Sequence, residues 1–458
     1  MRVVRQALIL LPLVLGAWAA SVNAQDSTTR VELAQGVSGL KSPIVDSSDD
    51  WSVHGQFTFV GQTYPTFTSP YQGQNSLTPT TNNAQTTDFT LFLGRRLWKG
   101  AEFFVNPEVD QGYGLSNTLG VAGFTSGEAY KLGSKDPYLR VPRAFIRQTI
   151  NLGGETIDLP DQPNQFAKQI TANNIVITAG KFSVVDIFDT NTYAHDPRSD
   201  FLNWSGIDSG AFDYAADAWG YTNGVAVEWT QDSWTLRGGF FAMSTVPNTT
   251  TLDNTFRQFE AVGEFEQRYE IAGRKGKIKL LGFLNRADMG TYSAAVDLAR
   301  LTNTTPDTAN VRQYASRPGA AINFEQEVTP TVGVFARASM NNGAYEAYDF
   351  TDINQSVVAG VSIKGNAWGR GQDTVGLLQV FNGLSSQAQA YFGAGGMGIL
   401  IGDGHLNYGI ERISEIYYNM VLTKHFAVGL NYQFVVNPAY NRDRGPANVF
   451  GIRVHAEF

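Results

Sequence analysis

A chain of 458 residues with 47 glycines, no cysteine and only 17% charged residues excludes a disulfide scaffold and a thiolate metal site. Its formal charge of −8 argues against nucleic acid, or any acidic surface, as the main partner. Beyond the first residues no apolar run approaches the roughly 18 residues a helix needs to span a bilayer.

The chain opens MRVVRQALILLPLVLGAWAASVNAQDS. Arg2 and Arg5 precede an apolar run from Ala7 to Ala20, and Val22-Asn23-Ala24 has the small, spacer, small form of a cleavage site, so residues 1–24 read as a secretory signal. A membrane anchor is the weaker reading, because the run is shorter than a span and polar residues follow at once. Loss of the two arginines leaves 32 of the 34 basic groups against 42 acidic ones, a charge of about −10. Residues 25–50 form a polar leader with a weak helical pattern in TTRVELAQGV.

From Trp51 the pattern changes to alternating stretches, and sixteen strands are expected. They fall near 51–64, 86–98, 100–110, 139–152, 174–184, 218–231, 233–243, 257–270, 275–288, 318–329, 331–342, 354–367, 371–383, 410–424, 425–437 and 446–458. The connections sort by parity. Even-numbered ones are tight, such as WKG at 98–100 and WGRGQ at 368–372; odd-numbered ones are long, at 65–85, 111–138, 185–217, 244–256, 289–317, 343–353, 384–409 and 438–445. The fourth connection, 153–173, breaks the rule by being long. Turns on one rim and loops on the other imply an all-β antiparallel transmembrane β-barrel of sixteen strands, with short periplasmic turns and long extracellular loops. A sandwich has no reason to sort its connections in this way.

The faces agree. Phe450, Ile452, Val454, Ala456 and Phe458 share one side of the last strand, with Gly451, Arg453, His455 and Glu457 on the other. In the strand before it Phe426, Val428, Leu430, Tyr432 and Phe434 oppose Ala427, Gly429, Asn431 and Gln433. In RQFEAVGEFEQRYE the interior side carries Glu260, Glu264, Glu266, Arg268 and Glu270 in part, and the register needs a bulge or slip to reconcile Gln258 and Phe259 with Val262 and Phe265. In RAFIRQTI, Ala144, Ile146 and Thr149 nearly share one face while Arg143, Phe145 and Arg147 share the other. A ring of sixteen strands is too wide for side chains to fill, so these arginines are expected to point into an aqueous lumen without a salt-bridged core.

The long motifs carry a resemblance. GKFSVVDIFDTNTYAHDPRSDFLNWS at 180–205 and GAFDYAADAWGYTNGVAVEW at 210–229 are similar to the signature of the carbohydrate-selective porins, the OprB-like family of Gram-negative outer membranes. EFFVNPEVDQGYGLSNTLGVAGFTSGEAYKLG at 102–133, YLRVPRAFIRQTINLG at 138–153 and the C-terminal segment from Tyr417 resemble it in kind, so the likeness spans essentially the whole mature chain. The resemblance implies a sixteen-stranded outer-membrane pore that passes glucose and related sugars by passive diffusion, long loops folded inward, and a monomer rather than a trimer. Two features depart from the family: the leader leaves no room for a separate cell-wall-binding domain, and the net charge is negative although related channels are associated with a basic constriction.

A sugar presents hydroxyls in its ring plane and C–H groups on its faces, so a selective lumen wants charged groups beside aromatic rings. Guanidinium offers five donors in a fixed fork. Arg96, Arg143 and Arg147 are the expected donors and Glu102, Glu108 and Asp110 the acceptors, while Arg95, of opposite parity to Arg96, is expected at the membrane rim. The third long loop, near 185–217, is expected to fold inward with Asp186 and Asp189 as acceptors and Trp204 or Trp219 stacking on the sugar; His195, Asp196, Arg198, Asp200, Asp208, Asp213, Tyr214 and Asp217 lie among them. Each charge has the plainer reading of a hydrated wall group, and Phe201, Trp204 and Phe212 that of loop packing. Trp98, Trp229, Trp234, Tyr417, Tyr418 and Tyr432 suit aromatic girdles, with a place in the lumen the equal alternative for some of them.

No cofactor or metal is expected. The acidic crowding of the third loop contains no twelve-residue calcium loop, and GAGGMG at 393–398 lacks the lysine and hydroxyl of a phosphate cradle. Of the five histidines only His195 sits among acids, with no nucleophile motif beside it, so the chain is not read as an enzyme. The expected partners are mono- and oligosaccharides, outer-membrane lipid and, through the terminal Phe458, the barrel-assembly machinery. A general-diffusion porin for small hydrophilic solutes is the nearest alternative, and a secreted all-β binding module a more distant one.

Overall fold

Alternating polar and apolar side chains favour extended backbone, because a strand turns successive residues to opposite faces. The computed structural model describes residues 50–129 and 131–458; the signal segment and the leader up to residue 49 lie outside them. Sixteen strands follow in chain order: β1 (Trp51–Tyr64), β2 (Asn82–Trp98), β3 (Ala101–Gly112), β4 (Ser134–Leu159), β5 (Lys168–Phe182), β6 (Thr222–Gln231), β7 (Trp234–Ala242) and β8 (Phe259–Ile271). The second half comprises β9 (Arg274–Met289), β10 (Gln313–Thr329), β11 (Val332–Asn341), β12 (Gln355–Gly365), β13 (Arg370–Gly383), β14 (Glu411–Thr423), β15 (Phe426–Val436) and β16 (Ala447–Glu457). Each pairs antiparallel with its chain neighbours, and β1 closes on β16, with Gln56 opposite Glu457 and Thr63 opposite Phe450. Closure leaves no open edge in lipid, where an unpaired amide is costly.

The tight turns lie on one rim. Gly100 turns β2 into β3 with φ +79°, where a Cβ would come within 2.3 Å of the Thr149 carbonyl oxygen. The fourth connection is shorter than expected. β4 and β5 run on past the wall, pairing as far as Leu159 with Lys168, and leave residues 160–167 between them. Strand β6 starts at Thr222 rather than 218, because Asp217 accepts hydrogen bonds from the amides of Trp219 and Tyr221 and holds them in a turn.

Outward faces are apolar as read: Phe450 and Ile452 on β16, Leu430 on β15 and Ile146 on β4 are exposed. Two residues fall otherwise. β8 has no bulge; its register against β7 and β9 is continuous, and Val262 faces inward into the apolar cluster around Phe188 and Phe241. Thr149 takes the parity of Arg143 and Arg147, and Lys168 Nζ donates to its hydroxyl at 3.3 Å. Of the aromatics open to either a girdle or the lumen, Tyr417 takes the lumen: it faces inward, 2% exposed, its ring edge-on to Phe201 at 4.8 Å.

The lumen is largely occupied by loop. Residues 183–221, with the short helix α1 (Trp204–Ile207), lie against the inner wall and are held there by inward charges. Glu415 accepts from the amides of Leu202 and Asn203 at 2.6 and 3.0 Å, Arg453 donates to the carbonyls of Pro197, Ser199 and Asp200, and Arg337 to those of Asp189, Ala194 and Gly206. Arg317 pairs with Asp213 at 2.5 Å. Each such charge-assisted bond contributes about 1.5–3 kcal/mol when its partners are kept from water. Beneath them Phe188, Phe212, Tyr348, Phe350 and Ile353 form an apolar core inside the barrel. Two further helices, α2 (Tyr292–Thr302) and α3 (Ser386–Gly393), sit on the loop rim and meet through Tyr292 and Tyr391 at 5.0 Å.

Candidate functional site

With the β8–β16 side packed, the open part of the lumen lies against β3 and β4. It is a cavity of about 260 Å³, continuous with solvent, bounded on the wall by Glu108, Arg140 and Arg143. The third loop supplies Asp186, Arg198, Asp208, Trp219 and Tyr221 opposite, and the loop between β3 and β4 supplies Phe124, Glu128 and Lys131.

The charges are arranged in pairs. Arg140 bonds Glu108 at 2.5 Å and also Asp110. Arg143 grips Asp186 with two nitrogens, at 2.7 and 2.6 Å. Arg198 Nη2 lies 3.6 Å from Glu128. The side chain of Arg143 is therefore salt-bridged rather than free in water, because the loop has been brought up to the wall. Both guanidinium groups stack on Tyr221, at 5.2 and 5.0 Å.

Arg140 breaks the alternation of β4. Asn106 pairs with Arg143 but Glu108 with Arg140, so Val141 and Pro142 of β4 oppose Pro107 alone on β3, and the extra residue turns Arg140 inward. Strict parity hides it; Pro142 is the signal that marks the bulge. Tyr221 and Glu128 have no comparable sequence signal, because they reach the cavity only through loop folding.

The remaining expected residues separate into three places. Glu108, Asp110, Arg143 and Asp186 gather at the cavity wall. Asp189 lies behind it, 1% exposed, 3.4 Å from Arg337 and accepting from Ser209 and Asn323, which makes it a loop anchor. Arg96, Glu102 and Arg147 lie toward the periplasmic rim: Lys168 Nζ pairs with Glu102 at 2.7 Å, and both arginines donate to the 160–167 connection. Arg95 stacks on Trp51 at 4.5 Å, outside the lumen.

Trp204 cannot stack on a solute. Phe124 and Phe350 cover its two faces at 5.2 and 5.3 Å, with interplanar angles of 15° and 11°. Trp219 is half-buried and lines the cavity, and the stacking surface passes to it and to Tyr221.

Three loop groups take their ionisation from this setting. Burial raises the Asp186 carboxyl, but the Arg143 guanidinium and the Ser183 amide outweigh it and hold the group below the usual range. Asp208 is pushed up to about 7 by burial and the nearby Asp189 carboxylate. Burial brings Lys131 down to about 8 against the pull of Asp349 and Asp213. No group of three His, Asp or Glu side chains among the described residues could hold a metal ion.

The high-pH structure of OprB from Pseudomonas putida superposes with a TM-score of 0.67 at 15% identity, over 90% of this chain and 94% of that one. Its low-pH structure gives a TM-score of 0.49 at 13% identity over 90% and 93%, and the outer-membrane channel DcaP of Acinetobacter baumannii 0.47 at 12% over 89% and 97%. A search of curated proteins found no match. The profile described as "Carbohydrate-selective porin, OprB family" matches residues 74–458, so this chain, an integral sixteen-stranded barrel of the outer membrane, belongs to that family.

Proposed function

We propose that the cavity is the selective segment of a pore that passes glucose and related mono- and oligosaccharides by passive diffusion. The observation that carries this is the pairing of Arg140 and Arg143 with Glu108 and Asp186 beside the rings of Tyr221 and Trp219. Paired charges present donors and acceptors at fixed spacing with little net field, which suits the hydroxyls of a neutral solute, and the rings suit its C–H faces. Binding has to stay weak enough for the solute to leave.

Liposome swelling tests this. Vesicles carrying the purified protein should swell faster in glucose than in a zwitterion of similar size, such as glutamine; equal rates would make the chain a general-diffusion porin. We further propose that residues 1–24 are removed on export, that 25–50 is a leader outside the barrel, that the assembly machinery reads Phe458, and that the protein works as a monomer.

A further inference from the structure

Elsewhere on the periplasmic rim, the connections between described strands are two to four residues long, but β4 and β5 continue beyond the wall and are joined by residues 160–167. This tip folds back beneath the barrel. Asp161 lies 3.1 Å from Ser52 Oγ and 3.3 Å from His54 Nε2, on β1, so the tip crosses β3 and β2. Phe166 enters the lumen, 3% exposed, with its ring 5.7 Å from Phe104 and the Arg96 guanidinium 4.6 Å above it. Gly94 makes the room: a Cβ there would sit 2.9 Å from Phe104 and 3.0 Å from Phe166. Two arginines clamp the backbone, Arg96 donating to the Ala167 carbonyl at 2.8 Å and Arg147 to that of Asn164 at 2.7 Å.

We infer that this flap is a second selectivity element at the periplasmic exit, with Phe166 setting its width and Arg96 and Arg147 its charge. The cavity above is bounded by β3 and β4, and the flap lies under that sector, so a solute that passes Arg143 meets Arg147 and then the tip. Both arginines bond carbonyls, and among the described residues neither forms an ion pair, whereas Glu102 is neutralised by Lys168. Arg96 and Arg147 therefore place two guanidinium charges at the exit, which favour anionic solutes over cations. This rests on the chain being an open pore and not on its preference for sugars.

Single-channel conductance of the whole protein in planar bilayers tests the inference without any sugar present. Phe166→Ala should raise conductance roughly 1.5-fold by widening the exit, with the half-blocking glucose concentration unchanged. Because Phe166 is also packed, a second variant leaves the flap intact: Ala167→Cys puts the sole thiol of a cysteine-free chain at an exposed position beside the Arg96 clamp. A bulky methanethiosulfonate reagent should then lower its conductance by about half, from one side of the bilayer only. Conductance unchanged by both the alanine substitution and the reagent would overturn the inference.

Discussion

Trp204 and Trp219 show how far residue type alone carries at the scale of one side chain. Both read as sugar-stacking candidates and both border the cavity, but Phe124 and Phe350 cover the faces of Trp204, so the stacking role falls to Trp219. Trp219→Ala should cost about 1 kcal/mol of sugar binding and raise the half-blocking concentration about fivefold, while Trp204→Ala should leave block nearly unchanged and make the open current noisy as the loop loosens. Arg143 and Arg147 were legible as inward by parity, whereas the bridge from Arg143 to Asp186 was not, because Asp186 reaches Arg143 only once the third loop has folded in. Removing the charges of Arg143 and Arg147 together should shift the reversal potential in a salt gradient toward cations, since Asp186 is left uncompensated. Asp208 and Lys131 add a pH dependence whose sign follows from their chemistry. As pH rises through about 7 the Asp208 carboxyl loses its proton, and near 8 Lys131 loses its charge, so both steps make the cavity more negative and more cation-preferring. Asp208→Asn should remove the lower step and keep the upper, as read by reversal potential between pH 6 and 9.

At the scale of elements, strands were readable and loops were not. The period of two places most strand ends within a few residues, and the misplacements have local causes: the Asp217 turn delays β6, and the bulge at Pro142 turns Arg140 inward. Val262 looked like a register fault only because an inward apolar side chain has no place in an empty lumen; the loop core gives it one. The unusual fourth connection was visible as a break in parity, but nothing in its composition foretold a tip that returns to β1. The seam between β1 and β16 gives a further prediction. Phe458 exchanges backbone hydrogen bonds with Gly55 at 2.7 and 2.9 Å and lies 6.2 Å from Phe89, so it completes the closure. Deleting Phe458 should reduce the fraction of chain that reaches the heat-modifiable, membrane-inserted form; undiminished insertion would show that the seam forms without it.

For the whole molecule, the parity of connections carried the architecture, because only closure explains turns on one rim and loops on the other. What remained hidden is that the lumen is mostly protein. Inward charges on β8 to β16 hold loop backbone, and only the β3–β4 sector stays open to a solute. The most direct measurement is the ion current of the purified protein in a planar bilayer during a glucose titration. A water-filled, sugar-preferring pore predicts a steady conductance that glucose lowers reversibly and saturably at millimolar levels; a bilayer that stays silent, or a current that no mono- or disaccharide changes, would contradict it.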